Sequence, residues 1–199
     1  MDLRVTNAQR QTPVNTARMA RLARRALRRL HVRSRGALEI TFIDSRRMRT
    51  LNNQFMRHDC ATDVLCFRYD GKDGRPSRQP APVRDGAIVG EILIAPAQAR
   101  VYARAHDIPY AEELSRYVLH GLLHWLGVED ATAAQQRKMR AMEDELLARY
   151  CSNRGGRADK WDISLFSSGK PGKKRETSRT GRFSFSLSSR ERKREVGRD

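Results

Sequence analysis

Two histidines four residues apart, followed by an aspartate six residues on, are the side chains in this sequence best suited to chemistry. They lie in the run Tyr117-Val-Leu-His120-Gly-Leu-Leu-His124-Trp-Leu-Gly127-Val-Glu129-Asp130. On a helix, residues i and i+4 stand one above the other, so His120 and His124 present two imidazoles on one face, with Tyr117 one turn earlier. Leu119, Leu122, Leu123 and Leu126 occupy the remaining arc and would seat that helix in a core. Gly127 suits the left-handed residue that ends a helix, after which the chain can turn and return Asp130 as a third ligand. Two imidazoles, a carboxylate and one open position make a workable catalytic zinc site, with Zn–N distances of about 2.0–2.1 Å. Zinc in such a site lowers the pKa of bound water toward about 7. Histidines paired on a helix also occur as plain core or surface residues. The acidic residue beyond the helix-ending glycine, and the apolar remainder of the helix, favour ligands here.

The metallopeptidase signature H-E-x-x-H of the zincins is similar to this run, but its glutamate base falls on Gly121. Peptide hydrolysis by that mechanism therefore lacks its proton acceptor.

A helix of this kind needs a sheet to pack on, and the rest of residues 1–150 supplies one, with apolar periods alternating between about 2 and 3.6. Leu3–Thr6 reads as a short edge strand. Asn15 or Thr16 caps a helix running to about Leu30, with Ala20, Ala23, Leu27 and Leu30 on one face and Arg18, Arg21, Arg25 and Arg28 on another. Leu38–Ile43 reads as a strand, Ser45–Asn53 as a helix capped by Asp44 or Ser45, and Asp63–Tyr69 as a second strand. Residues 71–87 hold three prolines and read as a loop. Ile88–Ile94 is a strand carrying Glu91, Pro96 suits the first turn of a helix reaching about His106, and Pro109 opens the histidine helix. The last helix starts at Thr132, whose spacing to Gln135 is that of a capping box, and Met139, Met142 and Leu146 line one of its faces. Strands interleaved with helices predict an α/β layer architecture.

The 199 residues hold 40 Lys and Arg against 23 Asp and Glu, a net charge of +17. That balance predicts an anionic partner, most simply nucleic acid. The division is uneven: residues 151–199 carry 14 basic and 6 acidic side chains, against 26 and 17 in residues 1–150. The last 49 residues are rich in Ser, Gly, Lys and Arg without a sustained apolar period, and read as a disordered basic tail. The expected organisation is one domain over residues 1–150 followed by that tail. No stretch approaches the roughly 18 apolar residues of a membrane span, and no secretory signal is visible. Cys60, Cys66 and Cys151 form no C-x-x-C pair and read as free thiols of a cytoplasmic protein.

The run from His120 to Asp130 resembles the H-G-x-x-H-x-x-G-x-D-H motif of the YbeY family, single-strand-specific metallo-endoribonucleases that mature ribosomal RNA. Two further blocks agree, in the family's order. Asn52–Phe67 (NNQFMRHDCATDVLCF) is similar to the family's N-x-x-x-R-x-x-D-x-x-T-D-V-L-S-F block, and Gly90-Glu91-Ile92-Leu93-Ile94 to its G-D/E-I strand. Two positions depart from the pattern. Asp130 stands at the family's third histidine, which keeps an oxygen ligand and changes the site charge by one unit. Met56 stands at the family's arginine, with Arg57 next to it.

The resemblance implies an α/β (α+β) fold, a mixed sheet of about four strands with helices packed on it, and one zinc ion held by His120, His124 and Asp130. It implies catalytic roles for His120, His124 and Arg57, with Arg57 or His58 replacing the family's arginine in stabilising transition-state charge. Thr62 and Asp63, with Arg57 and His58, would contact substrate in a groove floored by the strand at Asp63–Phe67. The function implied is a cytoplasmic zinc-dependent endoribonuclease acting on single-stranded RNA, in small-subunit ribosomal RNA maturation and ribosome quality control. Implied partners are the ribosome, a small-subunit ribosomal protein and an assembly GTPase, with no membrane. Two other functions stay open at this point: a non-catalytic, metal-stabilised ribosome-assembly factor, and a zincin-like metallopeptidase.

Overall fold

The structure, a computed structural model, describes residues 1–33, 36–69, 87–152 and 185–187. The chain runs through β1 (Asp2–Asn7), α1 (Thr16–Arg29), β2 (Ala37–Phe42), α2 (Ser45–Met56), β3 (Val64–Arg68), β4 (Ile88–Ile94), α3 (Pro96–Ala105), α4 (Tyr110–Trp125), α5 (Ala133–Ser152) and β5 (Phe185–Leu187). Three helices begin at a side chain that accepts from an unpaired amide, and α3 and α4 begin at a proline, which has no N–H to leave unpaired. The Asn15 carboxamide accepts from the Arg18 amide at 2.9 Å, and the Asp44 carboxylate accepts from the Arg47 amide at 2.8 Å, which settles both caps left open above. Thr132 and Gln135 exchange bonds of 2.9 and 3.3 Å, the reciprocal pair of a capping box. Pro96 occupies the first turn of α3, and Pro109 caps α4.

The helix α2 runs three residues further than the pattern suggested and stops at Arg57, whose φ of 57° places it in the left-handed region. The Arg57 amide then bonds back to the Asn53 carbonyl at 3.0 Å and closes the last turn.

The sheet order is β1-β2-β4-β3-β5. The pairs β1/β2 and β2/β4 are parallel, β3 runs antiparallel to β4, and β5 adds parallel to β3. The expected mixed sheet of about four strands is therefore present as β1 to β4. β5 comes from the segment expected to be an unstructured tail, and α5 ends two residues past the expected boundary at residue 150. The remainder of that tail, and all but the last residue of the loop expected over 71–87, lie outside the described residues.

Both faces of β3 are covered, and its side chains divide between two cores by the alternation of a strand. Val64 and Cys66 join the larger core, where Met19 and Leu22 of α1, Leu119, Leu122 and Leu123 of α4, and Leu146 of α5 pack on the sheet. Leu65 and Phe67 face the smaller one, with Met48 and Phe55 of α2; the Phe55 and Phe67 rings meet edge to face at 5.2 Å. Cys60 and Cys66 are free thiols, the second buried. Among the described residues no helix is long and apolar enough to cross a membrane.

The helix α4 is enclosed on all sides: every residue from Glu113 to Trp125 is buried. It meets the sheet tightly at Gly121, where an added Cβ would lie 2.5 Å from Ile92 Cγ2 and 3.1 Å from Val64 Cγ1. A second tight contact locks the end of the helix: Trp125 lies over Gly90, where a Cβ would fall 2.2 Å from the indole nitrogen. The sheet and α4 thus meet through two glycines, one on each surface. Replacing Gly121 with alanine should cost about 1–3 kcal/mol of stability through overpacking. Urea denaturation should show a lower midpoint at unchanged slope.

Candidate metal centre

The three residues singled out by spacing come together. His120 and His124 lie on the last two turns of α4, 2% and 4% exposed, and the chain returns Asp130 to them. The return is made by a left-handed cap. Gly127 has φ 85°, its amide bonds to the His124 carbonyl at 2.8 Å, and the Val128 amide bonds to the Leu123 carbonyl at 2.9 Å. These are the two bonds of a Schellman motif, and glycine adopts that φ without a Cβ penalty.

The His120 and His124 Nε2 atoms are 3.2 Å apart. The Asp130 carboxylate lies 3.8 Å from His120 Nε2 through one oxygen and 3.7 Å from His124 Nε2 through the other. Ligand atoms of a tetrahedral cation bound at about 2.0–2.1 Å are separated by about 3.3 Å, so the two nitrogens already have that spacing. Two nitrogen lone pairs at this distance repel unless a proton or a cation lies between them. Burial alone would raise the Asp130 carboxyl. The hydrogen bond with His124 and the charges of His124 and His120 outweigh burial and hold it below the usual carboxylate range. The set offers two imidazole nitrogens and a carboxylate, a donor chemistry suited to a divalent cation.

A residue that the sequence reading passed over orients the first histidine. Glu143 of α5, 2% exposed, accepts a hydrogen bond from His120 Nδ1 at 2.7 Å. With Nδ1 holding the proton, the Nε2 lone pair is left facing His124 and Asp130. Glu143 is held in turn by Arg116, one helical turn before His120, at 3.4 Å. Arg116 also pairs with Asp144 and, at 3.9 Å, with Glu112. The signal was available: Glu143 falls on the stripe of Met139 and Leu146, and a carboxylate on an apolar face needs a buried partner.

The other predicted site residues lie on the segment from the end of α2 to the start of β3. Arg57 and His58 are exposed, just past the left-handed end of α2. Thr62 and Asp63 are buried at the head of β3. The Thr62 hydroxyl donates to Asp63 Oδ1 at 3.1 Å, and the Val64 amide donates to the same oxygen at 3.0 Å. The Asp63 carbonyl accepts from the Ala95 amide at 2.9 Å. These bonds fix how β3 enters the sheet, beside the point where Gly121 meets Val64. Buried Asn52 pins the same segment from α2, its side-chain amide donating to the Cys60 carbonyl at 2.8 Å. Arg49 clasps Asp59 through two bonds of 2.7 and 2.6 Å, which hold the Asp59 carboxyl below its ordinary range. Tyr117, on the histidine face by spacing, packs into the larger core.

Fold and cluster together define an α+β domain built around a candidate divalent-metal centre. Among known proteins, the family model described as Endoribonuclease YbeY matches residues 4–151. A curated Endoribonuclease YbeY of Beutenbergia cavernae is 34% identical over 151 residues, covering 75% of this chain and 99% of its own. One from Acidothermus cellulolyticus is 32% identical over 163 residues, covering 81% and 93%. A solution structure from Thermotoga maritima aligns with 79% of this chain and 97% of its own at 21% identity, with a TM-score of 0.48. The chain belongs to the YbeY family of RNA-cleaving hydrolases.

Replacing Glu143 with glutamine keeps the shape of the side chain and removes the charge that orders His120. Affinity for added Zn2+, read by chelator competition, should fall about 10- to 100-fold.

Proposed function

We propose that this protein is a zinc-dependent endoribonuclease that cleaves single-stranded RNA in the cytoplasm, with small-subunit ribosomal RNA as its substrate. The observation that carries the reading is the convergence of His120, His124 and Asp130 at the end of a buried helix, in a chain of the YbeY family. Bound there, a divalent cation supplies Lewis acidity toward a phosphoryl oxygen and acidifies a water molecule.

The remaining work falls to the chain's own side chains. Glu143 and Arg116 hold His120 in one orientation. Thr62 and Asp63 fix the head of β3, the strand that floors the expected substrate groove. Arg57 offers a guanidinium that forms no hydrogen bond or ion pair with the described residues, and in this reading it and His58 meet the charge that develops on the phosphate. In this reading it serves where Met56 stands in the family's arginine position. Action on small-subunit ribosomal RNA places the protein at the ribosome, in maturation and quality control, with a small-subunit ribosomal protein and an assembly GTPase as partners.

Gly121 argues against a zincin-like peptidase. Its α-carbon faces Ile92 and Val64 of the sheet, with no room for the glutamate base that chemistry requires. Met56 favours a second reading, a metal-stabilised assembly factor with little turnover.

Cleavage of a single-stranded ribosomal RNA fragment by metal-quantified protein separates the two. The nuclease reading expects about one zinc per chain, cleavage, and loss of both in His124→Ala. Arg57→Ala should keep the metal and lower kcat by about 10²–10³. Binding of zinc and RNA without cleavage by the wild type would replace the nuclease with the assembly factor.

A further inference from the structure

A second basic feature lies away from the metal centre, between α1 and the C-terminal half of α5. Six of the 14 residues of α1 are arginine and none is acidic. Its apolar face, through Met19, Leu22, Ala23, Ala26 and Leu27, is buried in the larger core, which leaves arginines along the flank toward α5. There the two helices enclose a groove of about 600 Å³, with Arg25, Arg28 and Arg29 on one wall, Arg149 and Tyr150 on the other, and Leu146 on its floor.

We propose that this groove binds the phosphate backbone of single-stranded RNA, as a contact surface separate from the metal centre; the inference rests on RNA being the substrate class.

Four guanidinium groups line the groove, and one carboxylate answers them. Glu145 lies between Arg29 and Arg149, at 3.6 and 3.2 Å, and holds those two in place. Arg25 lies over the Tyr150 ring, 5.6 Å from its centre. Neither Arg25 nor Arg28 has a carboxylate partner among the described residues. Gathering like charges in one groove works against folding, and a bound anion relieves it. The planar guanidinium fork matches phosphate oxygens in pairs, and Tyr150 offers an aromatic edge to an unstacked base. The chain's own tail is a poor occupant, because its 14 basic side chains against 6 acidic ones repel the groove.

The placement also suits an extended substrate. α5 runs antiparallel to α4: Glu143 meets His120, while Leu147 and Ala148 lie beside Glu112 and Ser115. The groove is thus at the end of α5 remote from Asp130, on the helix that orients His120. Arg149 stands about 9 Å along the helix axis from Glu143. A single strand held at the metal centre can extend along α5 into it.

The test is binding of a cleavage-resistant phosphorothioate single-stranded oligoribonucleotide to the full-length protein across a salt series. Arg25→Gln with Arg28→Gln should weaken binding about tenfold at low salt, and should flatten the log K against log salt slope by about 1.4, two phosphates at about 0.7 each. Arg149→Gln, on the other wall and outside α1, should flatten it by about 0.7 and guards against a folding defect confined to α1. Unfolding midpoints are measured for each. The control is Arg100→Gln with Arg104→Gln on α3, which removes the same charge from exposed positions off the groove. A smaller change in the control than in the groove variants supports the proposal. Equal changes in both, or an unchanged slope in the groove variants, overturn it. Failure of the nuclease reading is seen separately, as a wild type that binds the oligonucleotide and cuts no unmodified RNA.

Discussion

The contact of α4 with the sheet at Gly121 is the constraint from which the candidate centre follows. A glycine between His120 and Leu122 lets the helix sink until its backbone meets Ile92 and Val64. At that depth, the residues on either side of Gly121 are enclosed too, and the imidazoles one position before it and three after it are withdrawn from bulk water. Burial strengthens every electrostatic interaction they make, since the effective dielectric falls. It also makes each unpaired polar atom costly, so a helix carrying two buried histidines must bring their partners with it.

Those partners form a continuous chain from one helix to the next. His120 leans on Glu143, Glu143 on Arg116, and Arg116 on Asp144 and Glu112 near the surface. Buried ion pairs often cost as much in desolvation as they return in attraction, and apolar replacements can be equally stable. What such a pair does supply is direction. The Glu143 carboxylate selects the His120 tautomer with a free Nε2, and a leucine in its place would leave the ring without a preferred orientation. The interface of α4 with α5 is thus organised around the geometry of one imidazole, with Met139, Leu146 and Leu147 as the apolar margin around it.

A different physical balance governs the segment between α2 and β3. Its backbone leaves α2 through a left-handed residue, is tied to the helix by Asn52 and by the Arg49–Asp59 clasp, and enters the sheet through Thr62 and Asp63. Arg57 and His58 are carried on this anchored segment while their side chains remain at the surface. An anchored backbone limits the freedom that an exposed guanidinium such as that of Arg57 loses on meeting an anion. The same logic appears between α1 and α5, where Glu145 orders two arginines and leaves two others for an incoming group.

Local order was largely legible from residue types. Asn15, Asp44 and Thr132 began their helices where short-range hydrogen bonding directed, Gly127 ended α4 through the φ that glycine permits, and His120 and His124 shared a face because the helical repeat requires it. Asp130 was legible as the third member because it lies a short way past that glycine. The tertiary structure alone decided which strands became neighbours: β4 sits between β2 and β3, an order that depends on contacts distant in sequence. It also decided that Thr62 and Asp63 spend several of their hydrogen bonds on the head of β3, and that a three-residue strand from the tail joins the sheet edge. Glu143 was visible only as a charge on an apolar stripe, and Arg116 only as one more arginine in a basic chain. Their meaning lies in the 2.7 and 3.4 Å contacts that join two helices through residues more than twenty positions apart. Helical periods and caps are set by neighbours within one turn, so the sequence carries them openly. A buried proton's location depends on which distant helix packs against it, and only the folded chain determines that.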